Sequence, residues 1–274
     1  MKNNELIGKV ILAGAGPGDP DLITIKASRA LETAEVVLAD RLVSQELLSA
    51  HCAEEALVLR VGKQAGIDGS VSQGTINELL VYYALQGKKV VRLKGGDLCI
   101  FSHLLEELEV LQRQGIPYEI IPGVTAASGA AAASGIPLTA RGHADAVRFL
   151  TFHPGQAFQG GQWQELAETS DTLAFYMSAG TVMDLVRALT RHGAGREKWI
   201  ALIEQATTPL QEVRRCPLGE YGQRWGDRKP TSPSLIIIGS LAGLAQPISL
   251  SPENVSGESY FKSVERRSRR EKRA

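Results

Sequence analysis

The stretch Val10-Ile11-Leu12-Ala13-Gly14-Ala15-Gly16-Pro17-Gly18-Asp19-Pro20 joins a short apolar run to a glycine-rich turn. An apolar run of this length, bounded by turn residues, is typical of a buried strand. In open α/β sheets, ligands bind beside the carboxyl ends of the strands. The stretch therefore predicts a first β-strand that leads directly into a ligand-binding loop.

The glycine-rich turn allows a nicotinamide or flavin dinucleotide as one interpretation. Gly14 and Gly16 match the first two glycines of that fingerprint, and Asp40 ends a second apolar run further along the chain. The third glycine is absent, and Pro17 and Pro20 lie on either side of the position where it would stand. Because proline supplies no N–H group to a pyrophosphate, the turn favours a neutral or cationic ligand.

The composition is that of a globular chain large enough for one large domain or two modest ones. Of its 274 residues, 43% are hydrophobic and 22% are charged, and the formal net charge is zero. The three cysteines and five histidines show no metal-binding spacing, so we predict neither a zinc site nor a disulfide framework. We expect no secretory signal and no membrane span, and a cytoplasmic location.

The end of the sequence, residues 262–274, is strongly basic. It carries seven Lys or Arg against two Glu, which leaves the rest of the chain about five charges negative. Such a run could contact nucleic acid or anionic lipid, but its composition is more typical of a solvated end. We therefore expect residues 246–274 to form a disordered basic tail, and we predict no nucleic-acid or membrane partner.

Apolar runs of strand length alternate with segments of helical period, which predicts α/β architecture. In the first half, strands are predicted at residues 10–13, 36–39, 57–61, 90–93 and 119–121. Helices are predicted at residues 24–33, 45–50, 75–86, 104–114 and 125–133. After a break at residues 135–137, strands are predicted at residues 147–152, 172–177, 200–204 and 234–238. A helix at residues 182–192 and a hairpin arm at residues 211–221 complete the pattern.

These elements predict two α/β domains, at residues 1–136 and 137–245. The N-terminal sheet should be mainly parallel, because its strands are separated by helices. The C-terminal sheet should be mixed, because it contains the hairpin arm. Clefts between domains commonly hold ligands, so we expect a ligand cleft between these two.

Nine short motifs in a fixed order point to a known family. They are VILAGAGPGDPD at 10–21, AEVVLADRLVS at 34–44, VGK at 61–63, VVRLKGGD at 90–97, IPGVTAAS at 121–128, GIPLT at 135–139, FYM at 175–177, EQATTP at 204–209 and SPSLIIIG at 232–239. Each motif alone is weakly specific, but nine in order are strongly specific. From residue 9 to residue 243, the chain resembles the tetrapyrrole methylase family, and within it the uroporphyrinogen-III C-methyltransferases.

The resemblance implies methyl transfer from S-adenosylmethionine (SAM) to two ring carbons of uroporphyrinogen III, giving precorrin-2 on the route to sirohaem or cobalamin. It also implies a homodimer and no metal. The cofactor residues carried over are Pro17, Gly95, Gly96, Asp97, Ile100, Thr125, Ala126, Met177 and Ala206. Taken alone, the Gly95-Gly96-Asp97 segment would be an ordinary turn. Met177 alone would be a core residue.

Three residues are candidates for proton handling. The resemblance matches Asp40 to a proton acceptor and Lys63 to a proton donor, and Glu106 is a further candidate. An adjacent arginine favours the charged carboxylate, so Asp40 would be a weak base and could act only by steering the substrate. The alternatives are an Asp40–Arg41 ion pair, a solvated Lys63, and a Glu106 that interacts with a helix dipole.

Uroporphyrinogen carries eight carboxylates, so a site for it needs cations. Arg41 and Arg141 are the preferred substrate-binding residues. The other cations considered are Lys63, Arg92, Lys94 and Arg148. Because Arg92 and Lys94 alternate along a predicted strand, they could instead point to solvent or to another chain.

One segment departs from the family pattern. The family continues Gly-Gly-Asp with Pro-Phe-Ile-Phe-Gly-Arg-Gly-Gly-Glu-Glu, whereas residues 98–107 read Leu-Cys-Ile-Phe-Ser-His-Leu-Leu-Glu-Glu. His103 replaces the arginine and is cationic only when protonated. The change could weaken binding of substrate carboxylates or select another ring. Two alternatives therefore stay open: a methylase of another tetrapyrrole such as a precorrin, and a SAM- or tetrapyrrole-binding protein without catalysis.

Overall fold

A computed structural model describes residues 7–62, 71–156, 158, 161–195, 197–244 and 260–261. The chain forms two compact units. Within the described part, the first unit contains residues 7–16 and 20–123 and the second contains residues 17–19 and 124–260. Lys63 and nearly all of the predicted basic tail lie outside the described residues.

The first unit is built on a parallel sheet. Its strands are β1 (Val10–Gly14), β2 (Val36–Ala39), β3 (Leu57–Arg60), β4 (Val90–Lys94) and β5 (Tyr118–Ile121). Its helices are α1 (Ile25–Glu32), α2 (Gln45–His51), α3 (Gln73–Leu85) and α4 (Leu104–Arg113). The strand order is β3-β2-β4-β1-β5, and every pairing is parallel. The predicted parallel sheet is confirmed, with strand ends within one residue of the prediction.

The inner strands of this sheet separate two cores. Ala13, Val37 and Val91 belong to the core that contains the buried residues of α1 and α2. Leu12 and Val90 belong to the opposite core, which contains the buried residues of α3 and α4. Because both faces are covered, β1 and β2 are continuous apolar runs in the sequence, as is usual for parallel sheets, and β4 is apolar except at Arg92 and Lys94.

The second unit is built on a mixed sheet. Its strands are β6 (Val147–Thr151), β7 (Thr172–Tyr176), β8 (Trp199–Glu204), β9 (Glu212–Pro217) and β10 (Ser234–Gly239). Its helices are α5 (Ala126–Ala133), α6 (Gln162–Glu168), α7 (Val182–Arg191) and α8 (Tyr221–Trp225). The strand order is β6-β7-β10-β8-β9, and β6 and β7 alone of these neighbours are parallel. The predicted mixed sheet is confirmed, and β9 forms the predicted hairpin arm.

Helices α6 and α8, which have 7 and 5 residues, were not predicted. The longest described helix, α3, has 13 residues. No helix in the described part of the chain is long and apolar enough to cross a membrane.

Helix α5 belongs to the second unit, so the boundary after Gly123 lies earlier than the predicted one after residue 136. The alanines of α5, including Ala127 and Ala130, share a core with Leu235 and Ile237 of β10. Small side chains let the helix lie close to that sheet. The composition of residues 125–133 predicted a helix, but it could not identify the sheet that the helix covers.

Candidate cofactor and proton-transfer site

Three glycine-containing loops meet at the carboxyl ends of β1, β4 and β5. The Gly16 N–H donates to the Gly96 carbonyl oxygen at 3.2 Å, and the Gly96 N–H donates to the Gly16 oxygen at 2.7 Å. A Cβ atom on Gly14 would lie 2.6 Å from the Gly96 oxygen and 2.7 Å from the Gly123 nitrogen. Because no side chain fits there, glycine permits this close approach of the loops.

Asp97 connects two of these loops. Its Oδ1 accepts a hydrogen bond from the Cys99 N–H at 2.8 Å, and its Oδ2 accepts one from the Gly123 N–H at 2.9 Å. A carboxylate held by two backbone donors has a fixed orientation. Its oxygens retain lone pairs for a further donor. Ile100 follows in the same loop, half-buried, with its N–H 3.4 Å from the Asp97 carbonyl oxygen.

In the second unit, Tyr176 organises the start of α5. Its hydroxyl oxygen lies 2.7 Å from Thr125 Oγ1 and accepts a hydrogen bond from the Ala127 N–H at 3.0 Å. Thr125 is the N-cap residue but makes no side-chain cap hydrogen bond, so Tyr176 supplies the acceptor instead. Tyr176 was not among the predicted site residues. Its position directly before the predicted cofactor residue Met177 was the signal that could have identified it.

Replacing Tyr176 with Phe should lower the free energy of unfolding by about 1–2 kcal/mol, because the Ala127 N–H loses its acceptor. We also expect weaker binding of S-adenosylhomocysteine, since Thr125 and Ala126 are predicted cofactor residues. Urea denaturation and calorimetric titration measure the two effects. Tyr82→Phe, on the exposed side of α3, is the matched control. Equal stability of both variants would show that water caps α5 as well as the hydroxyl does.

The backbone is strained at one predicted cofactor residue of the second unit, Met177, and on both sides of another, Ala206. Positive φ values of 53°, 47° and 64° occur at Met177, Gln205 and Thr207. For residues other than glycine this region costs about 1–2 kcal/mol. Ala206 lies between the last two. Such strain persists only where neighbouring groups enforce it, and it concentrates at functional sites.

Hydrogen bonds enforce the strained conformation of Thr207. Its N–H donates to Gln211 Oε1 at 2.7 Å, and its Oγ1 accepts from the Asp19 N–H at 3.0 Å. A Cβ atom on Gly18 would lie 3.0 Å from the Ala206 carbonyl oxygen. The segment that contains Pro17 therefore packs directly against the loop around Ala206.

Pro17 and Met177 complete the predicted cofactor residues of the second unit. Pro17 packs on α5, since a Cβ atom on Gly129 would lie 2.5 Å from Pro17 Cγ. The Met177 residue is 72% exposed, so its interpretation as a core residue is wrong. An exposed methionine on strained backbone is suited to contact a ligand.

A buried charged cluster lies between β4 and α4 in the first unit. Arg92 Nε donates to Glu107 Oε1 at 3.1 Å, and Lys94 Nζ donates to the same oxygen at 3.2 Å. Gln73 Nε2 adds a third donor at 3.2 Å. Arg92 Nη2 lies 3.8 Å from Asp40 Oδ1. Burial lowers the pKa of Lys94, while its attraction to Glu107 opposes that change.

The cluster corrects the expectation that Arg92 and Lys94 face solvent or meet substrate carboxylates. Their side chains are only 3% and 7% exposed, and both are bonded to Glu107. Arg148 is also engaged, because its Nε lies 2.6 Å from Asp171 Oδ2. Each of these three cations already has a carboxylate partner within the protein, which leaves Arg41 and Arg141 as the stronger candidates.

Comparison with known proteins identifies the family. Residues 9–222 match the Tetrapyrrole (Corrin/Porphyrin) Methylases. The chain belongs to this family. A siroheme synthase of Stutzerimonas stutzeri is 43% identical over 242 residues, which cover 88% of this chain and 52% of that protein. Siroheme synthase 1 of Aeromonas hydrophila is 47% identical over 244 residues, with coverages of 88% and 51%. The chain spans about half the length of these curated relatives.

Solved structures of other methyltransferases share the fold of this tetrapyrrole methylase. A uroporphyrin-III C-methyltransferase from Thermus thermophilus has a TM-score of 0.71 at 34% identity, over 86% of this chain and 94% of that one. It has also been solved with S-adenosyl homocysteine. A cobalt precorrin-4 methyltransferase has a TM-score of 0.75 at 28% identity, over 85% and 95%. The predicted family, α/β fold and methyltransferase class are confirmed.

In this tetrapyrrole methylase, Asp40 and Arg41 follow β2 at the carboxyl edge of the first sheet. The Asp40 side chain is 30% exposed and its described ionic neighbour is Arg92, not Arg41. Arg41 is half-buried, and Arg141 is exposed in the second unit. No group of three or more His, Cys, Asp or Glu that could hold a metal occurs among the described residues.

The two adjacent glutamates of α4 have different surroundings in this methylase. Glu106, the predicted proton-handling residue, is exposed, and its Oε1 lies 2.8 Å from His103 Nδ1. Glu107 is fully buried in the charged cluster. The spacing of Leu104, Glu107 and Leu111 puts Glu107 on the apolar face of α4. That spacing was the overlooked signal that distinguishes the two carboxylates.

Proposed function

We propose that this methylase transfers methyl groups from SAM to ring carbons of uroporphyrinogen III, giving precorrin-2. The observation that carries the proposal is the backbone around the predicted cofactor residues. In the first unit it is packed too closely for a side chain at Gly14, and in the second unit it is strained at Met177 and around Ala206. The solved uroporphyrin-III C-methyltransferase with the same fold supports this choice of substrate.

The residues present suit a ligand such as SAM. Asp97 offers carboxylate lone pairs, and Met177 offers an exposed apolar surface. Bound SAM supplies a methyl group that is already electrophilic. The protein therefore has mainly to orient the reactants and to remove a proton.

Asp40 is proposed as the acceptor of the proton that the tetrapyrrole loses elsewhere in its ring system, once attack of a ring carbon on the SAM methyl group has released S-adenosylhomocysteine and left the ring system cationic. Its carboxylate has Arg92 near one oxygen and remains partly exposed, so a substrate can reach it. Lys63 is proposed as the proton donor, on the family resemblance. Arg41 and Arg141 are proposed to bind substrate carboxylates, because guanidinium groups form charge-assisted, two-point contacts with them.

Methylation of another tetrapyrrole is a second candidate, and the segment at residues 98–105 favours it. Phe101 is 43% exposed, and the family also has phenylalanine at this position. Leu105 is 69% exposed, where the family has a glycine near a flexible cationic turn. This surface differs in charge and bulk from that of the family pattern. The fold match to a cobalt precorrin-4 methyltransferase also supports a different ring.

The decisive experiment is anaerobic incubation of the purified protein with SAM and enzymatically generated uroporphyrinogen III. We expect the mass of the product to increase by two methyl groups, and Asp40→Asn to lose turnover but keep binding of S-adenosylhomocysteine. A parallel incubation with precorrins tests the second candidate. Calorimetric binding of S-adenosylhomocysteine without any methylated product would contradict both and favour a non-catalytic binding protein.

The predicted homodimer and cytoplasmic location stay predictions and form part of this proposal. Light scattering during size-exclusion chromatography tests the oligomeric state. A mass of one chain, about 29.5 kDa, would contradict the dimer.

A further inference from the structure

Arg92 uses each of its three guanidinium nitrogens for a different partner. Nε donates to Glu107 Oε1 at 3.1 Å. Nη1 donates to the carbonyl oxygens of Leu38 and Leu93 at 3.1 and 3.3 Å. Nη2 faces Asp40 Oδ1 at 3.8 Å. Because the guanidinium group is planar and rigid, fixing two of its nitrogens also fixes the direction of the third.

The charges of this region balance only when Asp40 is included. Arg92 and Lys94 from β4 contribute two cations, and Glu107 from α4 contributes one fully buried anion. Buried charges require partners, so a second anion is needed. Asp40 is that anion, and its attraction also raises the pKa of Lys94 against the effect of burial.

We propose that Arg92 is a positioning residue that links Asp40 to Glu107 and holds the Asp40 carboxylate in a fixed orientation at the carboxyl edge of the first sheet. This inference rests on the proposed function, in which Asp40 accepts a proton. Glu107 is the buried anchor, the carbonyl groups of Leu38 and Leu93 fix the plane, and Asp40 is the exposed end. The described partner of the neighbouring Glu106 is instead His103.

Lysine at position 92 would keep the charge but lose the link. Its ammonium group is a single point on a flexible chain and cannot contact Glu107, the two carbonyl groups and Asp40 together. In Arg92→Lys we expect kcat to fall roughly 10- to 100-fold, as is typical when a reacting group is misplaced. The KM for SAM and the affinity for S-adenosylhomocysteine should stay within about twofold. Arg113→Lys, exposed at the end of α4, is the matched control.

A double variant tests whether Arg92 acts through Asp40. If it does, Arg92→Lys combined with Asp40→Asn should lose no more turnover than Asp40→Asn alone. The second readout is the carboxyl carbon signal of Asp40 in protein labelled with ¹³C-aspartate, assigned by its absence in Asp40→Asn. We expect this signal to shift in Arg92→Lys and to stay in place in Arg113→Lys. It reports the link even where turnover is too slow to measure.

Several outcomes would overturn the inference. The inference is wrong if kcat is unchanged in Arg92→Lys, or if Arg92→Lys lowers turnover by the same factor in the Asp40→Asn background as in the wild type. It is also wrong if the Asp40 signal does not move. In each of these cases, turnover by the wild type would still uphold the proposed function. No methylation by the wild type would instead overturn the proposed function and the catalytic part of this inference together. If Arg92→Lys fails to fold, Glu107→Gln removes the anchor's charge with little change in shape, and it should move the same signal.

Discussion

Replacing Gly14 with Ala is expected to weaken binding of S-adenosylhomocysteine roughly 10- to 100-fold and to lower the free energy of unfolding by about 1–3 kcal/mol. The new Cβ atom would lie 2.6 Å from the Gly96 oxygen and 2.7 Å from the Gly123 nitrogen. Both are backbone atoms at strand ends, so they cannot move aside like a flexible side chain. The two hydrogen bonds between Gly16 and Gly96 would lengthen or break.

Gly74→Ala is the control for this prediction. Gly74 lies in the first turn of α3, and the nearest atom to an added Cβ is Ser72 Oγ at 3.6 Å. Alanine there should leave ligand binding unchanged and stabilise the helix by up to about 1 kcal/mol. Calorimetric titration and urea denaturation of both variants give the comparison. Wild-type affinity in Gly14→Ala would show that the three loops do not form the cofactor site.

Replacing Glu107 with Ala should lower the free energy of unfolding by about 3–5 kcal/mol, which is the usual cost of leaving a buried charge without its partner. Arg92 and Lys94 both bond to this carboxylate, and neither is exposed enough for water to replace it. Glu109→Ala, on the exposed side of α4, should cost less than about 0.5 kcal/mol. Chemical denaturation at neutral pH measures both changes.

The destabilisation of Glu107→Ala should shrink as the pH rises. Burial already holds the pKa of Lys94 below that of an unfolded lysine, which is about 10.4. In the window between these two pKa values the unfolded chain binds more protons, so stability rises with pH. Loss of Glu107 removes an interaction that raises the pKa of Lys94, which extends the window toward neutral pH. A constant penalty from pH 7 to pH 10 would contradict this role for Lys94.

Much of the fold could be predicted because local patterns report burial directly. β1 and β2 are continuous apolar runs and β4 is apolar except at Arg92 and Lys94, since helices cover both faces of the sheet. β9 was recognised as a hairpin arm because no helix separates it from β8. Helices α6 and α8 were not predicted, although α2, which has the same length as α6, was. The placement of α5 was also missed, because its alanines fit closely against any sheet.

The candidate site was predictable as a set of residues but not as a set of contacts. The motifs named Asp40, Asp97 and Met177, yet no pattern along the chain shows that Asp97 accepts a hydrogen bond from Gly123. The helical period of α4 distinguishes Glu107 from Glu106. Its partners on β4 emerge only when the sheet and helix pack together.

By itself, the sequence determined the order of the strands, the two sheet types and the family of this protein, because these depend on local apolar runs, turn residues and motif order. The tertiary structure alone decided which charges are paired, which backbone is strained and which glycines are indispensable. Those properties arise from groups far apart in the chain that approach within a few ångströms. Burial then makes each charge in the Arg92–Glu107 cluster depend on a partner that the sequence does not place beside it.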